Sequence, residues 1–123
     1  MNSTNKVVLV GHLGADPRCV STSTGRKVAN FSIATNDFIK SGDGEKIKRT
    51  DWHKVVVWGK TADACEKSLR KGSMVLVEGK IRNIINEESK SPSYEIYASN
   101  VSFISNWGKK EKATSSDQEE IDA

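Results

Sequence analysis

The sequence predicts an all-β domain. Five curved antiparallel strands form a small Greek-key barrel, one short helix lies between strands three and four, and an acidic C-terminal tail is disordered. Three observations predict this. Runs rich in Val, Ile, Thr, Tyr, Phe and Trp recur along the chain, punctuated by clusters of Gly, Pro, Asn, Asp and Ser. Only residues 61–69 place apolar side chains at helical spacing. Beyond residue 107 the chain is rich in Lys, Glu, Ser and Asp and nearly free of apolar residues, so it cannot bury a core. The expected division is one domain over residues 1–107 and a tail over 108–123, with no internal repeat.

Residues 6–13 form the first strand. Val7-Val8-Leu9-Val10 reads as buried on both faces, and Gly11 and Gly14 bracket a bend, because glycine within a strand marks a bulge or tight curvature. Asp16-Pro17 is a turn, and residues 18–21 resume the strand after it. Residues 27–36 form the second strand, with Ala29, Phe31, Ile33 and Thr35 on one face and Val28, Asn30, Ser32 and Ala34 on the other. Phe38-Ile39-Lys40 leads to the glycine-rich tip Ser41-Gly42-Asp43-Gly44. Residues 45–60 return as a long third strand, so the region 27–60 is a hairpin with an extended arm.

Residues 61–69 are the helix. Thr61 is placed to cap its N-terminus, Lys67, Arg70 and Lys71 complement the dipole at its end, and Gly72 stops it. Residues 74–84 form strand four, with Val75, Val77, Gly79 and Ile81 alternating with Leu76, Glu78, Lys80 and Arg82. A polar loop over 86–92 leads into strand five, residues 93–104. There Tyr94, Ile96 and Ala98 share one face, and Tyr97, Val101 and Phe103 the other. Three strands, a helix and two strands is the order of an OB-fold barrel.

The third strand carries the informative pattern. Trp52, Lys54, Val56 and Trp58 share one face; His53, Val55 and Val57 share the other. The valine face is core. Two large π-surfaces with a cation between them suit stacked bases and phosphates, although tryptophan is more often a core or interface residue. Along a strand rising about 3.3 Å per residue, Trp52 and Trp58 lie roughly 20 Å apart. They would hold separate bases along a path.

Charge supports a polyanion partner. Residues 1–112 hold all 19 Lys and Arg against 12 Asp and Glu, a balance of +7, whereas residues 113–123 hold four acids and no base. Lys6, Lys54, Lys60, Lys71, Lys80 and Arg82 are spread over elements that would surround one barrel face. Cys19 and Cys65 are the only cysteines and read as reduced thiols of a cytosolic-type compartment. Neither His12 nor His53 stands at a metal-ligand spacing. No catalytic constellation, cofactor motif, secretory signal or membrane-length apolar run is present, so the chain reads as a binding protein rather than an enzyme.

These residues resemble the bacterial-type single-stranded DNA-binding protein family, which mitochondrial homologues share. The resemblance spans about residues 5–106. It rests on Gly11-His12-Leu13-Gly14-Ala15-Asp16-Pro17, Val28-Ala29-Asn30-Phe31-Ser32-Ile33-Ala34-Thr35-Asn36, Asp51-Trp52-His53-Lys54 with Trp58-Gly59-Lys60, and Leu69-Arg70-Lys71-Gly72 with Val77-Glu78-Gly79-Lys80. It implies an OB-fold, a homotetramer, sequence-independent binding of single-stranded DNA in replication, recombination and repair, and no cofactor. Stacking on aromatics is the mechanism generally described for such proteins. The resemblance puts Trp52 at a stacking tryptophan, Trp58 at a stacking phenylalanine, and Lys54, Lys60, Lys71 and Arg82 at basic positions on the DNA path. It puts His53 and Leu76 at subunit contacts. Lys6, Phe38 and Lys40 complete the expected DNA surface.

Three departures are visible. The arm tryptophan common in the family falls near Phe38 or Ile39, and Phe38 is the aromatic available there. A further family tryptophan falls near Ile85-Asn86, where no aromatic stands. Bacterial members usually end in an acidic tip closing with Pro-Phe, which docks replication and repair proteins. Residues 117–123 have the acids without that dipeptide, which weighs against docking by that route. Trp107 reads as a peripheral packing residue. The resemblance implies a bacterial cytoplasmic, nucleoid-associated location, or the mitochondrial matrix if a presequence has been removed. An RNA-binding OB-fold protein and a protein-interaction module of a replication complex are the alternative readings.

Overall fold

The computed structural model describes residues 2–85 and 92–105. Residues 86–91 of the loop expected over 86–92, Trp107 and the acidic tail lie outside them, and Pro92, expected in that loop, is the first residue of the last strand. Six strands and one helix follow in the order β1 (Val7–Leu13), β2 (Arg18–Ser21), β3 (Lys27–Lys40), β4 (Lys46–Trp58), α1 (Gly59–Ser68), β5 (Met74–Ile85) and β6 (Pro92–Ser105). β1 and β2 are the two halves of the expected first strand, broken by the Gly14–Pro17 bend. The sheet order is β1-β5-β6-β4-β3-β2, and pairing of His12 and Leu13 with Ala34 and Ile33 closes β1 onto β3. All pairings are antiparallel except β4 with β6, where Val55 and Val56 face Ile96 and Tyr97. This is the expected five-stranded OB-fold barrel, with its first strand bent.

The alternation expected for β3 and β4 is observed. Ala29, Phe31 and Ile33 meet Val57, Val55 and Val77 in the core, joined by Leu13, Val75 and Ile96. Ala62, Cys65 and Leu69 from the helix segment close the end of the barrel. Each large aliphatic side chain buried there contributes about 1.5–3 kcal/mol of hydrophobic stabilisation. Lys27 on β3 fastens α1 through ion pairs with Asp63, at 3.2 Å, and Glu66. These bonds hold the Asp63 carboxyl below the usual carboxylate range, with Lys27 the first cause and Lys67 the second.

Three expectations are corrected. Val8 and Val10 are not buried: they are 53% and 42% exposed on the outer surface of β1, while Val7 and Leu9 pack against the core. A barrel wall has one inside, and among the described residues no second layer covers the outer face of β1. Thr61 does not cap the helix. α1 starts two residues earlier, with Trp58 as an extended N-cap that makes no side-chain cap bond, and it ends at an extended Leu69 rather than at Gly72.

The third correction concerns β6. Tyr97 does not share a face with Val101 and Phe103. Gly79 pairs with Ala98 and Glu78 with Asn100, so Ser99 is an extra residue that reverses the alternation. Ala98 and Val101 therefore both pack on the core, and Tyr97 faces outward with Lys80. A Cβ at Gly79 would stand 2.1 Å from the carbonyl oxygen of Tyr97, so the bulge requires glycine.

Candidate nucleic-acid interface

Cross-strand partners point to the same side of a sheet, so the register of β3 and β4 builds one outer surface. Lys40 faces Lys46, Phe38 faces Lys48, Asn36 faces Thr50, Ala34 faces Trp52, Ser32 faces Lys54, Asn30 faces Val56 and Val28 faces Trp58. Phe38, Lys40, Trp52, Lys54 and Trp58 therefore lie on one ribbon, with Lys46 and Lys48 added from the arm. Phe38 is 63% and Trp52 60% exposed, values unusual for aromatic side chains without a partner above them. Val56 is the buried floor between Trp52 and Trp58.

A groove of about 570 Å³ opens on this surface, lined by Trp52, Lys54, Asn30, Ser32, Glu95 and the bend residues Gly14 to Asp16 with Arg18. The bend is held in place from behind. The Lys71 N–H donates to Oδ1 of Asp16 at 2.8 Å, and the Gly72 N–H donates to the Leu13 carbonyl at 2.9 Å. Lys71 is exposed and is not among the groove residues, but its backbone is tied to Asp16 of the groove wall.

The two tryptophans are not equivalent. Trp52 is open, whereas Trp58 is half-buried and the Arg26 guanidinium lies over its ring, 4.9 Å from the centroid. A second pair of this kind stands across the sheet: Arg82 lies 5.3 Å from the centroid of Tyr97. Lys6 sits between Asn5, whose side chain bonds the backbone of Ile81 in both directions, and Val7, which faces Gly79. That placement sets Lys6 beside Lys80, next to Tyr97.

Lys60 is set apart. It lies in the first turn of α1, exposed, and is not among the groove residues. His53 and Leu76 also lie off the groove. His53 is half-buried, its Nε2 2.9 Å from Oγ1 of Thr35. Leu76 is half-buried on the outer face of β5, opposite Val10 of β1 and Ser102 of β6.

Arg18, Arg26 and Tyr97 are the additions that only the folded chain supplies. Arg18 follows the Asp16-Pro17 turn, the one local signal that could have flagged it. Arg26 lies in a turn remote in sequence from Trp58. Tyr97 is hidden by the bulge at Ser99. No cluster of three or more His, Cys, Asp or Glu residues suited to a metal ion occurs among the described residues.

The chain is similar to known proteins throughout its barrel. The single-strand binding protein family model matches residues 4–104. The chain is 42% identical over 87 residues to single-stranded DNA-binding protein 1 of Chlorobaculum tepidum, covering 71% of this chain and 54% of that protein. It is 46% identical over 78 residues to the single-stranded DNA-binding protein of Xanthomonas axonopodis pv. citri, covering 63% and 43%. It spans about half the length of these curated relatives. Among solved structures, a Plasmodium falciparum SSB complex with ssDNA superposes with a TM-score of 0.75 at 34% identity, covering 84% of this chain and 96% of that one. A deletion mutant of the Thermus aquaticus single-stranded DNA binding protein, at 24% identity and a TM-score of 0.73, covers 86% of this chain and 53% of that one and shares the fold. By its barrel, and by a family match spanning nearly all of it, the chain belongs to the single-strand binding protein family.

Proposed function

We propose that this protein binds single-stranded DNA without reading its sequence and shields it during replication, recombination and repair. The observation that carries this is the ribbon running from Lys40 and Phe38 through Trp52 to Lys54. It offers exposed π-faces and cations on one side of one hairpin. Bases stack on Trp52, and on Trp58 once Arg26 moves aside, while Lys40, Lys54, Lys71 and Arg82 take phosphates. Stacking uses faces that every base has, so it carries no sequence information. The work is binding, not catalysis. The names of the relatives and the ssDNA in the Plasmodium structure support the same polymer.

Assembly as a homotetramer fits the uncovered surface. Val8 and Val10 are exposed beside Leu76, and among the described residues the edge of β1 before His12 pairs with no other strand than β5, which leaves it for a second copy. His53 and Leu76 are proposed as subunit contacts. The acidic residues 117–123 are a proposed, weaker route to replication and repair proteins, since the closing Pro-Phe is missing. We place the protein with the DNA it covers, in the bacterial cytoplasm.

Titration of tryptophan fluorescence with dT oligomers of increasing length, with mass measured in parallel, tests this. Strong quenching with saturation at a defined length is expected from a tetramer. No quenching, or a preference for poly(U) over poly(dT), would replace the DNA reading with a protein-interaction or RNA-binding one.

A further inference from the structure

We propose that Tyr97 is a third nucleobase platform, set between Trp52 and Trp58 and covered in the free protein by Arg82. The inference rests on the single-stranded DNA reading above and adds a subsite to it.

Orientation is the first ground. Ile96, next to Tyr97, is buried in the core opposite Val55, so Tyr97 points outward with Val56 and Lys80. It stands on the same outer surface as Trp52 and Lys54, one strand over.

Spacing is the second. Tyr97 is level with Val56, four residues from Trp52 and two from Trp58. At about 3.3 Å per residue, the ring lies roughly 13 Å along the sheet from Trp52 and roughly 7 Å from Trp58. Two platforms roughly 20 Å apart leave several nucleotides unsupported, and Tyr97 stands in that gap.

The surrounding charge is the third. Lys80 faces Tyr97 directly, Lys6 lies beside Lys80, and the Arg82 guanidinium sits over the ring. Among the described residues Arg82 has no ion pair that would hold it there. An exposed cation–π contact is weaker than base–aromatic stacking. An arriving base therefore takes the ring face, and Arg82 turns outward to a phosphate, where its planar fork binds two oxygens at once.

The test uses the whole chain and dT oligonucleotides at one fixed salt concentration, comparing wild type with Tyr97→Val and Tyr97→Phe. The valine variant should bind roughly tenfold more weakly, the loss of one stacked base, while the phenylalanine variant stays within about twofold of wild type. In parallel, irradiation of wild type bound to a dT oligomer carrying 5-iodouracil should leave a nucleotide adduct on Tyr97. Unchanged affinity in the valine variant, or adducts confined to the peptides of Trp52 and Trp58, overturns the platform while leaving the DNA reading intact. Absence of dT binding by wild type overturns both. Should the valine variant not fold, the adduct on wild type decides.

Discussion

The indole of Trp52 lies over Gly14: a methyl group added at Gly14 would come within 2.6 Å of Cζ3 and 2.8 Å of Cη2 of the ring. The bend between β1 and β2 is thus the seat of the open tryptophan, and while the indole stays seated there is no room for a side chain at Gly14. Gly14→Ala should displace the indole. Affinity for dT oligomers should fall by about 1–3 kcal/mol, the worth of a stacked base, while the fold survives because Trp52 can swing into solvent. Fluorescence quenching and the dissociation constant measure this, and an alanine variant with wild-type values of both would show that the seat is not needed.

Trp52 and Trp58 should not contribute equally. Trp52→Ala removes an open platform and should cost about 1–3 kcal/mol of binding. Trp58→Ala should cost less, by about the 0.5–1 kcal/mol needed to lift an exposed guanidinium from a ring. Arg26→Ala in the wild-type background should raise the quenching of Trp58 at saturating oligomer. Equal losses for the two tryptophan variants would mean that Arg26 does not guard its ring in solution.

The bulge opposite Gly79 separates the outward Tyr97 from the core-facing Val101, and the Tyr97 carbonyl oxygen lies 2.1 Å and the Ala98 Cα 2.7 Å from where a Gly79 Cβ would sit. Both obstacles are backbone and cannot rotate away. Gly79→Ala should destabilise the fold by about 2–4 kcal/mol, in the range of severe core overpacking. Urea titration of the variant reads this directly, and a loss below about 1 kcal/mol would mean that β6 can re-register at little cost.

The same bulge marks the limit of what could be read from the chain. Strand alternation alone grouped Ala29, Phe31 and Ile33 on one face, read Val55 and Val57 as core and put Trp52, Lys54 and Trp58 together on the opposite face of their strand, and these groupings hold because β3 and β4 pair without a slip; that the tryptophan face is the outer one came from the family resemblance. Alternation failed after Ala98, where one inserted residue inverted the pattern and put Tyr97 on the face opposite Val101. It also overstated the burial of Val8 and Val10. An apolar run looks the same in sequence whether its second face is covered by its own chain or left for another. Contacts that cross the fold, such as Arg26 with Trp58 and Asp16 with Lys71, have no local signature at all.

The two thiols should behave differently. Burial pushes the Cys65 thiol up to about 11, and burial also raises that of Cys19, which is only partly covered. At pH 8 the thiolate fraction at Cys65 is on the order of one in a thousand. Iodoacetamide at that pH should modify Cys19 slowly and leave Cys65 intact until denaturant is added, as mass spectrometry of the peptides will show. Rapid alkylation of Cys65 in the native protein would mean that α1 opens readily from the barrel.

Salt dependence separates the lysines by role. Lys54 and Lys48 are exposed on the ribbon and make no ion pair among the described residues, whereas Lys27 is engaged by Asp63 and Glu66 at the base of α1. A lysine that neutralises a phosphate releases counterions, contributing about 0.7 to the slope of log affinity against log salt for a single strand. Lys54→Ala and Lys48→Ala should each reduce that slope by about 0.7, with little change in thermal stability. Lys27→Ala should leave the slope unchanged and lower the melting temperature instead, because it removes the cation shared by Asp63 and Glu66 and leaves only Lys67 for Asp63. A slope that falls with Lys27 and not with Lys54 would move the DNA path from the ribbon to the helix end of the barrel.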